Sequence, residues 1–92
     1  MWFEDAVVYQ IYPLGFCGAP KQNDGVQTHA ILKIRDWTAH LQSLGANCVL
    51  LNPVFQSDRH GYDTRDYFTL DCRLGTNQDF AAVCDALHEA GM

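Results

Sequence analysis

The densest run of chemically able side chains lies between His60 and Phe68. There the sequence His-Gly-Tyr-Asp-Thr-Arg-Asp-Tyr-Phe gathers an imidazole, two carboxylates, a guanidinium and two phenols. Asp63 and Asp66 are a tempting pair, because one carboxyl group that gives a proton and a second that attacks or activates water is the equipment for breaking an acetal bond. Their setting argues for a humbler task. Both fall on one turn-rich segment with Arg65 between them, where aspartates ordinarily accept backbone N–H bonds or pair with a neighbouring cation. Loop bracing is the reading for each, and no residue is assigned a catalytic role. The four cysteines, Cys17, Cys48, Cys72 and Cys84, contain no C-x-x-C pair, which favours buried free thiols over zinc ligands or disulfides. Neither strand expected below is followed by a G-x-G-x-x-G or Walker-type glycine loop, the mark of a nucleotide site. No metal and no cofactor are expected.

The elements that must position these groups follow from periodicity. Ala6 to Tyr12 is β-branched, aromatic and nearly unbroken, the pattern of a strand buried on both faces; Pro13 and Gly15 end it. Phe16 to Thr28, with Gly18, Pro20, Asn23, Asp24 and Gly25, reads as a loop. Ile34, Trp37, Leu41 and Leu44 then repeat at helical spacing between Ile31 and Leu44, an amphipathic helix with Trp37 in its core stripe. Gly45 stops it, and Asn47 to Asn52 forms a second apolar run that Pro53 closes. Strand, helix and strand with so short a joint make a βαβ unit with parallel strands. No helical period fits Val54 to Gly75, which is polar in its middle. Thr76 stands three residues before Asp79 as a capping-box pair, and Phe80, Val83, Cys84 and Leu87 supply the stripe of a second helix that Gly91 ends.

Composition narrows the partners. A formal net charge of −5 with no run of Lys or Arg argues against nucleic acid and against an anionic membrane surface, so a neutral substrate fits better. Glu4 and Asp5 stand where a secretory signal would carry positive charge, and a cytoplasmic location is expected. Two parallel strands leave both sheet edges open, whereas an independent sheet generally needs three or more. A further strand is therefore expected after Met92. Strand, long loop and helix in repetition is the grammar of a (β/α)8 barrel, with a doubly wound sheet as the structural rival.

Three segments carry a resemblance: Val8-Tyr9-Gln10-Ile11-Tyr12-Pro13, Leu44 to Phe55, and His60-Gly61-Tyr62-Asp63-Thr64-Arg65-Asp66-Tyr67-Phe68. Together they resemble the α-amylase family of glycoside hydrolases, and the likeness runs on through Leu74 to Phe80 and Leu87 to Met92. The resemblance implies that residues 1–92 are the N-terminal part of the family's catalytic barrel, the first two βα units of a TIM (β/α)8 fold, ending before the third strand. It implies retaining cleavage of α-glucosidic bonds in maltooligosaccharides, cyclodextrins or starch-like glucans, by acids that come from later strands. The chain alone is then inactive.

The same resemblance assigns a sugar-binding wall to Tyr62, His60 and Asp63. Tyr62 matches the family tyrosine that stacks on a glucose ring, an aromatic face covering the apolar C–H face of the sugar; the alternative is a loop aromatic plugging the barrel mouth. His60 is readable as a donor to a sugar hydroxyl or as a brace of the loop. Tyr9 and Tyr12 are expected to pack within the barrel. Arg59 departs from the acidic residue that relatives acting on α-1,6 bonds carry three positions before the stacking tyrosine, which leans toward the cyclomaltodextrinase and neopullulanase-like branch. A non-catalytic carbohydrate-binding barrel that has lost its acids is the rival function. Uncovered strand edges and helix stripes predict self-association of the isolated chain.

Overall fold

The computed structural model describes residues 2–92, and Met1 lies outside the described residues. Strand β1, Val8–Ile11, pairs in parallel with β2, Cys48–Leu51, in the register Val8 to Cys48, Tyr9 to Val49, Gln10 to Leu50 and Ile11 to Leu51. Both strands occupy the middle of the runs expected for them, and the parallel pairing is the one the βαβ reading requires. Burial on both faces does not hold. Tyr9, Ile11, Val49 and Leu51 face the apolar core, whereas Val8 and Leu50 are exposed and Gln10 lies with them. Helices pack on one side of this pair only, and the period-2 alternation of strand side chains sends every second residue to the open side.

Between the strands the chain forms α1, Pro13–Phe16, a long loop, a 3-10 helix over Ala30–Trp37 and α2, Thr38–Ser43. The single amphipathic helix expected over Ile31 to Leu44 is thus divided. Ile31, Ile34 and Trp37 are spaced by three, a repeat that a 3-10 helix with three residues per turn stacks on one line. The four-residue step to Leu41 suits the α-helix that follows. Ile31, Ile34 and Leu41 are fully buried. Trp37 is half-buried, edge-on to Phe16 with ring centroids 5.0 Å apart, and Leu44 is exposed rather than in the stripe.

The segment without helical period holds two strands. β3, Phe55–Ser57, pairs antiparallel with β4, Thr64–Leu70, through an irregular register. Helix α3, Asn77–Glu89, begins at the expected capping box: the Thr76 hydroxyl accepts from Asp79 N at 3.0 Å and the Asp79 carboxylate accepts from Thr76 N at 2.9 Å. His29 Nδ1 lies 2.5 Å from the same carboxylate. Val83 and Leu87 bury the inner face of α3 against the 3-10 helix, with Phe80 and Cys84 half-buried beside them. All four cysteines are free and half-buried rather than buried, and burial pushes the Cys17 and Cys84 thiols up.

The capping box closes two donors that the first turn of α3 would otherwise leave bare. Thr76→Ala should lower unfolding free energy by about 1 kcal/mol. Urea denaturation followed by far-UV circular dichroism measures it, and an unchanged midpoint would show the box to be energetically idle.

Candidate functional site

The C-terminal ends of both parallel strands converge on one bend. Tyr12, the residue after β1, donates its hydroxyl to the His60 carbonyl at 2.6 Å. Asn52, the residue after β2, accepts at Oδ1 from Gln10 Nε2 at 2.9 Å and donates from Nδ2 to the Tyr62 hydroxyl at 3.4 Å. A polar chain from Gln10 through Asn52 to Tyr62 therefore runs along the open face of the strands to the bend. Tyr12 is exposed and ties the bend to β1, whereas Tyr9 packs on the helix-covered side.

Gly61 makes the bend possible. Its φ is +101°, and a Cβ there would collide with the Pro53 ring, so both backbone and space require glycine. Tyr62 is left 63% exposed. Its ring lies 6.3 Å from that of His60 at a tilt of 32°. Tyr62 N donates to His60 Nδ1 at 3.1 Å, so in the neutral ring Nδ1 is the acceptor and Nε2 carries the proton. The structure thus presents an exposed aromatic face with an N–H donor beside it.

Asp63 Oδ1 accepts from Gly61 N at 3.1 Å and lies 3.6 Å from His60 Nδ1. Partial burial works to raise its carboxyl, but the backbone N–H bonds, with His60 nearby, bring it below the ordinary carboxylate range. Asp66 accepts from Phe68 N at 2.9 Å and from the Thr69 hydroxyl at 2.8 Å, bonds that hold it low as well. Carboxyl groups stabilised as anions are acceptors and poor proton donors at neutral pH. The bracing reading holds for both, though Arg65 pairs with Asp58 at 3.3 Å rather than with either of them. Tyr62, His60 and Asp63 are brought together on the bend; Asp66 belongs to the hairpin.

Sequence reasoning missed a buried polar centre beneath the bend. Ser57, Asp71 and Arg73 have 0%, 1% and 1% of their surface exposed. Burial would push the Asp71 carboxyl up, but hydrogen bonds from Arg73 and Ser57 hold it below the usual range. The sequence signal is opposite charges two apart, Asp71 and Arg73, framed by Leu70 and Leu74. In the loop after β1, Asn23 Oδ1 accepts from Gly25 N at 2.9 Å and Asp24 Oδ1 from Val26 N at 3.0 Å. Among the described residues no group of three or more His, Cys, Asp or Glu is gathered to hold a metal ion.

The chain is similar to known proteins along nearly its whole length. The profile of the alpha-amylase family, described as "Alpha amylase, catalytic domain", matches residues 10–92. The oligo-1,6-glucosidase of Heyndrickxia coagulans is 39% identical over 99% of this chain and 16% of its own length. A cyclomaltodextrinase of Bacillus sp is 31% identical over 99% of this chain and 19% of its own. Among solved structures, the cyclic alpha-maltosyl-(1→6)-maltose hydrolase of Arthrobacter globiformis superposes with a TM-score of 0.78 at 32% identity, over 99% of this chain and 24% of that one. The chain spans less than a fifth of the length of the two curated relatives.

Two outcomes follow from this geometry. Gly61→Ala should displace the bend, so that the Tyr62 and His60 resonances move in a heteronuclear NMR spectrum while those of Val83 and Leu87 stay in place. Asp63, Asp66, Asp71 and Asp79 all lie below the ordinary carboxylate value in the folded chain. A depressed folded value gives stability that is complete above the unfolded value and is lost as pH falls toward the folded one. Thermal melts should be flat near neutrality and fall in the acid range below the ordinary carboxylate value; melts that improve on acidification would contradict the anionic bracing roles.

Proposed function

The chain belongs to the alpha-amylase catalytic-domain family, and from that premise we propose that it supplies the first two βα units of an eight-stranded barrel that hydrolyses α-glucosidic bonds. The supporting observation is the placement of Tyr62. Its exposed ring stands at the C-terminal ends of two parallel strands, where barrels of this class build their active sites, with the His60 Nε2 proton free to meet a sugar hydroxyl. An aromatic face and adjacent polar groups suit a sugar ring, which is apolar on its C–H face and hydroxylated at its rim. Asp63 contributes by fixing the Gly61 bend rather than by proton transfer. On this reading the acid and the nucleophile come from other strands of the barrel, and the substrate is an α-linked oligosaccharide such as a maltooligosaccharide or cyclodextrin. Relatives named for both α-1,6 and cyclodextrin substrates match, so the Arg59 argument for the cyclodextrin branch is a proposal on that residue alone. Four free cysteines are what a cytoplasmic setting would favour.

The decisive experiment uses the protein with its whole barrel. It should release reducing sugar from maltooligosaccharides or cyclodextrin, and Tyr62→Ala should lower kcat/KM about tenfold or more, the equivalent of losing an aromatic contact of about 1.4 kcal/mol. Tyr62→Phe should keep most of the activity, because among the described residues the hydroxyl makes only the 3.4 Å bond to Asn52. A whole barrel that binds maltooligosaccharide yet cleaves no α-glucoside would favour the non-catalytic carbohydrate-binding alternative. The 92-residue chain alone should hydrolyse nothing and should self-associate, since Val8, Leu50, Tyr67 and Phe68 are exposed, Phe68 at 90%. Sedimentation velocity showing one monomeric species at high concentration would refute that expectation.

A further inference from the structure

We propose that Arg73 is a positioning residue of the sugar-binding wall: buried beneath it, Arg73 ties the loop after β1 to the β3–β4 hairpin and so sets the width of the cavity beside His60. The functional consequence rests on the glucan reading above; the mechanical role does not.

Arg73 spends its donors on three separate pieces of chain. Nε donates to Asp71 Oδ1 at 3.0 Å, and Nη2 donates to Asp71 Oδ2 at 2.9 Å and to the Ser57 hydroxyl at 3.0 Å. Nη1 donates to the Pro20 carbonyl at 2.8 Å. Asp71 in turn accepts from Ser57 N at 3.2 Å and from the Ser57 hydroxyl at 3.0 Å. One planar fork thus fixes the loop at Pro20 and the hairpin at Ser57 in a single geometry. Further bonds staple the same two segments, Asn23 N to the Asp58 carbonyl at 2.8 Å and Asn23 Nδ2 to the Ser57 carbonyl at 2.7 Å, and the Thr28 hydroxyl ties the loop to the Arg73 carbonyl itself at 2.7 Å.

The segments so joined are the two rims of a cavity of about 440 Å³. Ala19, Pro20 and Lys21 line it from the loop, Arg59 and His60 from the bend, and Arg73 also reaches it. That volume lies in the range of small-ligand sites, and His60 belongs to both the cavity and the candidate wall. Stability alone is a weak account of the ion pair, because well-packed apolar residues in place of a buried salt bridge are often as stable or more so. Apolar packing cannot reproduce directed bonds to Asp71, Ser57 and Pro20 at once. The gain from the charged pair is therefore placement of the rims.

The test uses the whole-barrel enzyme in three forms. In Arg73→Lys a single ammonium group cannot serve three acceptors in the fork geometry; in the apolar pair Asp71→Leu with Arg73→Met no charge is left buried without a partner. Both variants should raise KM for maltooligosaccharide about tenfold or more with kcat within about threefold of the parent, since the acids lie elsewhere. Hydrogen exchange should quicken in peptides covering Asn23 and Thr28 and stay unchanged over Cys48 to Leu51. The apolar pair leaves Ser57 N and Arg73 N without their Asp71 acceptor and so lowers the melting temperature somewhat, but its KM should rise as much as that of Arg73→Lys whatever the two melting temperatures, which separates placement from stability. Unchanged KM and unchanged exchange at Asn23 and Thr28 in both variants would overturn the proposal, as would a rise in KM that only tracks a loss of melting temperature. If the parent enzyme cleaves no glucan, the function reading fails while the exchange data still decide the clamp.

Discussion

Two parallel strands joined through helices can cover only the face on which those helices pack, and that constraint organises everything else in this chain. Ile11 and Leu51 are drawn to the covered side together with Ile31, Ile34, Leu41 and Val83, most of which have no exposed surface. Every second strand residue is then forced to the other side, whatever its polarity. Gln10 and Asn52 on that side are bonded to each other, and their chain of amides ends at the Tyr62 hydroxyl. Positions left over from core formation are thus the ones that lead to the candidate wall. In a closed barrel the same side would be the interior, filled by side chains in layers.

Polar groups beneath the wall obey a stricter rule, because burial makes an unpaired donor or acceptor expensive. Among the described residues every buried side-chain nitrogen or oxygen has a partner. The rule is met here with an unusual concentration of charge: Asp71 and Arg73 are both about 99% removed from water, at 1% exposure each. Bonds from this pair reach a serine on β3 and a carbonyl in the loop after β1, segments far apart in sequence. A loop rich in glycine, proline and asparagine would otherwise be loosely held, and the hairpin's irregular register offers few ladder bonds to restrain it. Directed polar bonding from Arg73 joins the two segments where they meet.

What could be read from the sequence was whatever a local period dictates. β1, β2 and α3 were legible because Val8 to Ile11, Cys48 to Leu51 and the Phe80, Val83 and Leu87 stripe repeat a single geometry, and because Thr76 and Asp79 form a cap from side chains three apart. The 3-10 turn over Ala30–Trp37 was not separable from α2, since a stripe at 31, 34, 37 and 41 satisfies both periods in turn. β3 and β4 escaped because the hairpin is largely exposed on both faces: β4 alternates neither polarity nor burial cleanly, so no two-residue period was available. Of the site, Tyr62, His60 and Asp63 were found on one bend through the family resemblance. Of the Ser57, Asp71 and Arg73 centre only the Asp71 and Arg73 charges two apart left a local trace; Ser57 and the Pro20 carbonyl are brought to them by the tertiary fold.

The state of the carboxylates bears on how chemistry would be divided within a barrel. A glycosidase that retains configuration needs one carboxyl with its proton retained near neutrality and one carboxylate free to attack. Asp63, Asp66, Asp71 and Asp79 each accept backbone N–H bonds, and each is held as an anion below the ordinary range. Such groups cannot retain a proton for transfer, and their lone pairs are already engaged in holding turns and caps. These four aspartates therefore act as fasteners. Fastening the bend at Gly61, the hairpin at Asp66 and the helix at Thr76 leaves the Tyr62 ring exposed beside His60, and on the proposed reading the reacting carboxyl groups come from other strands of the barrel.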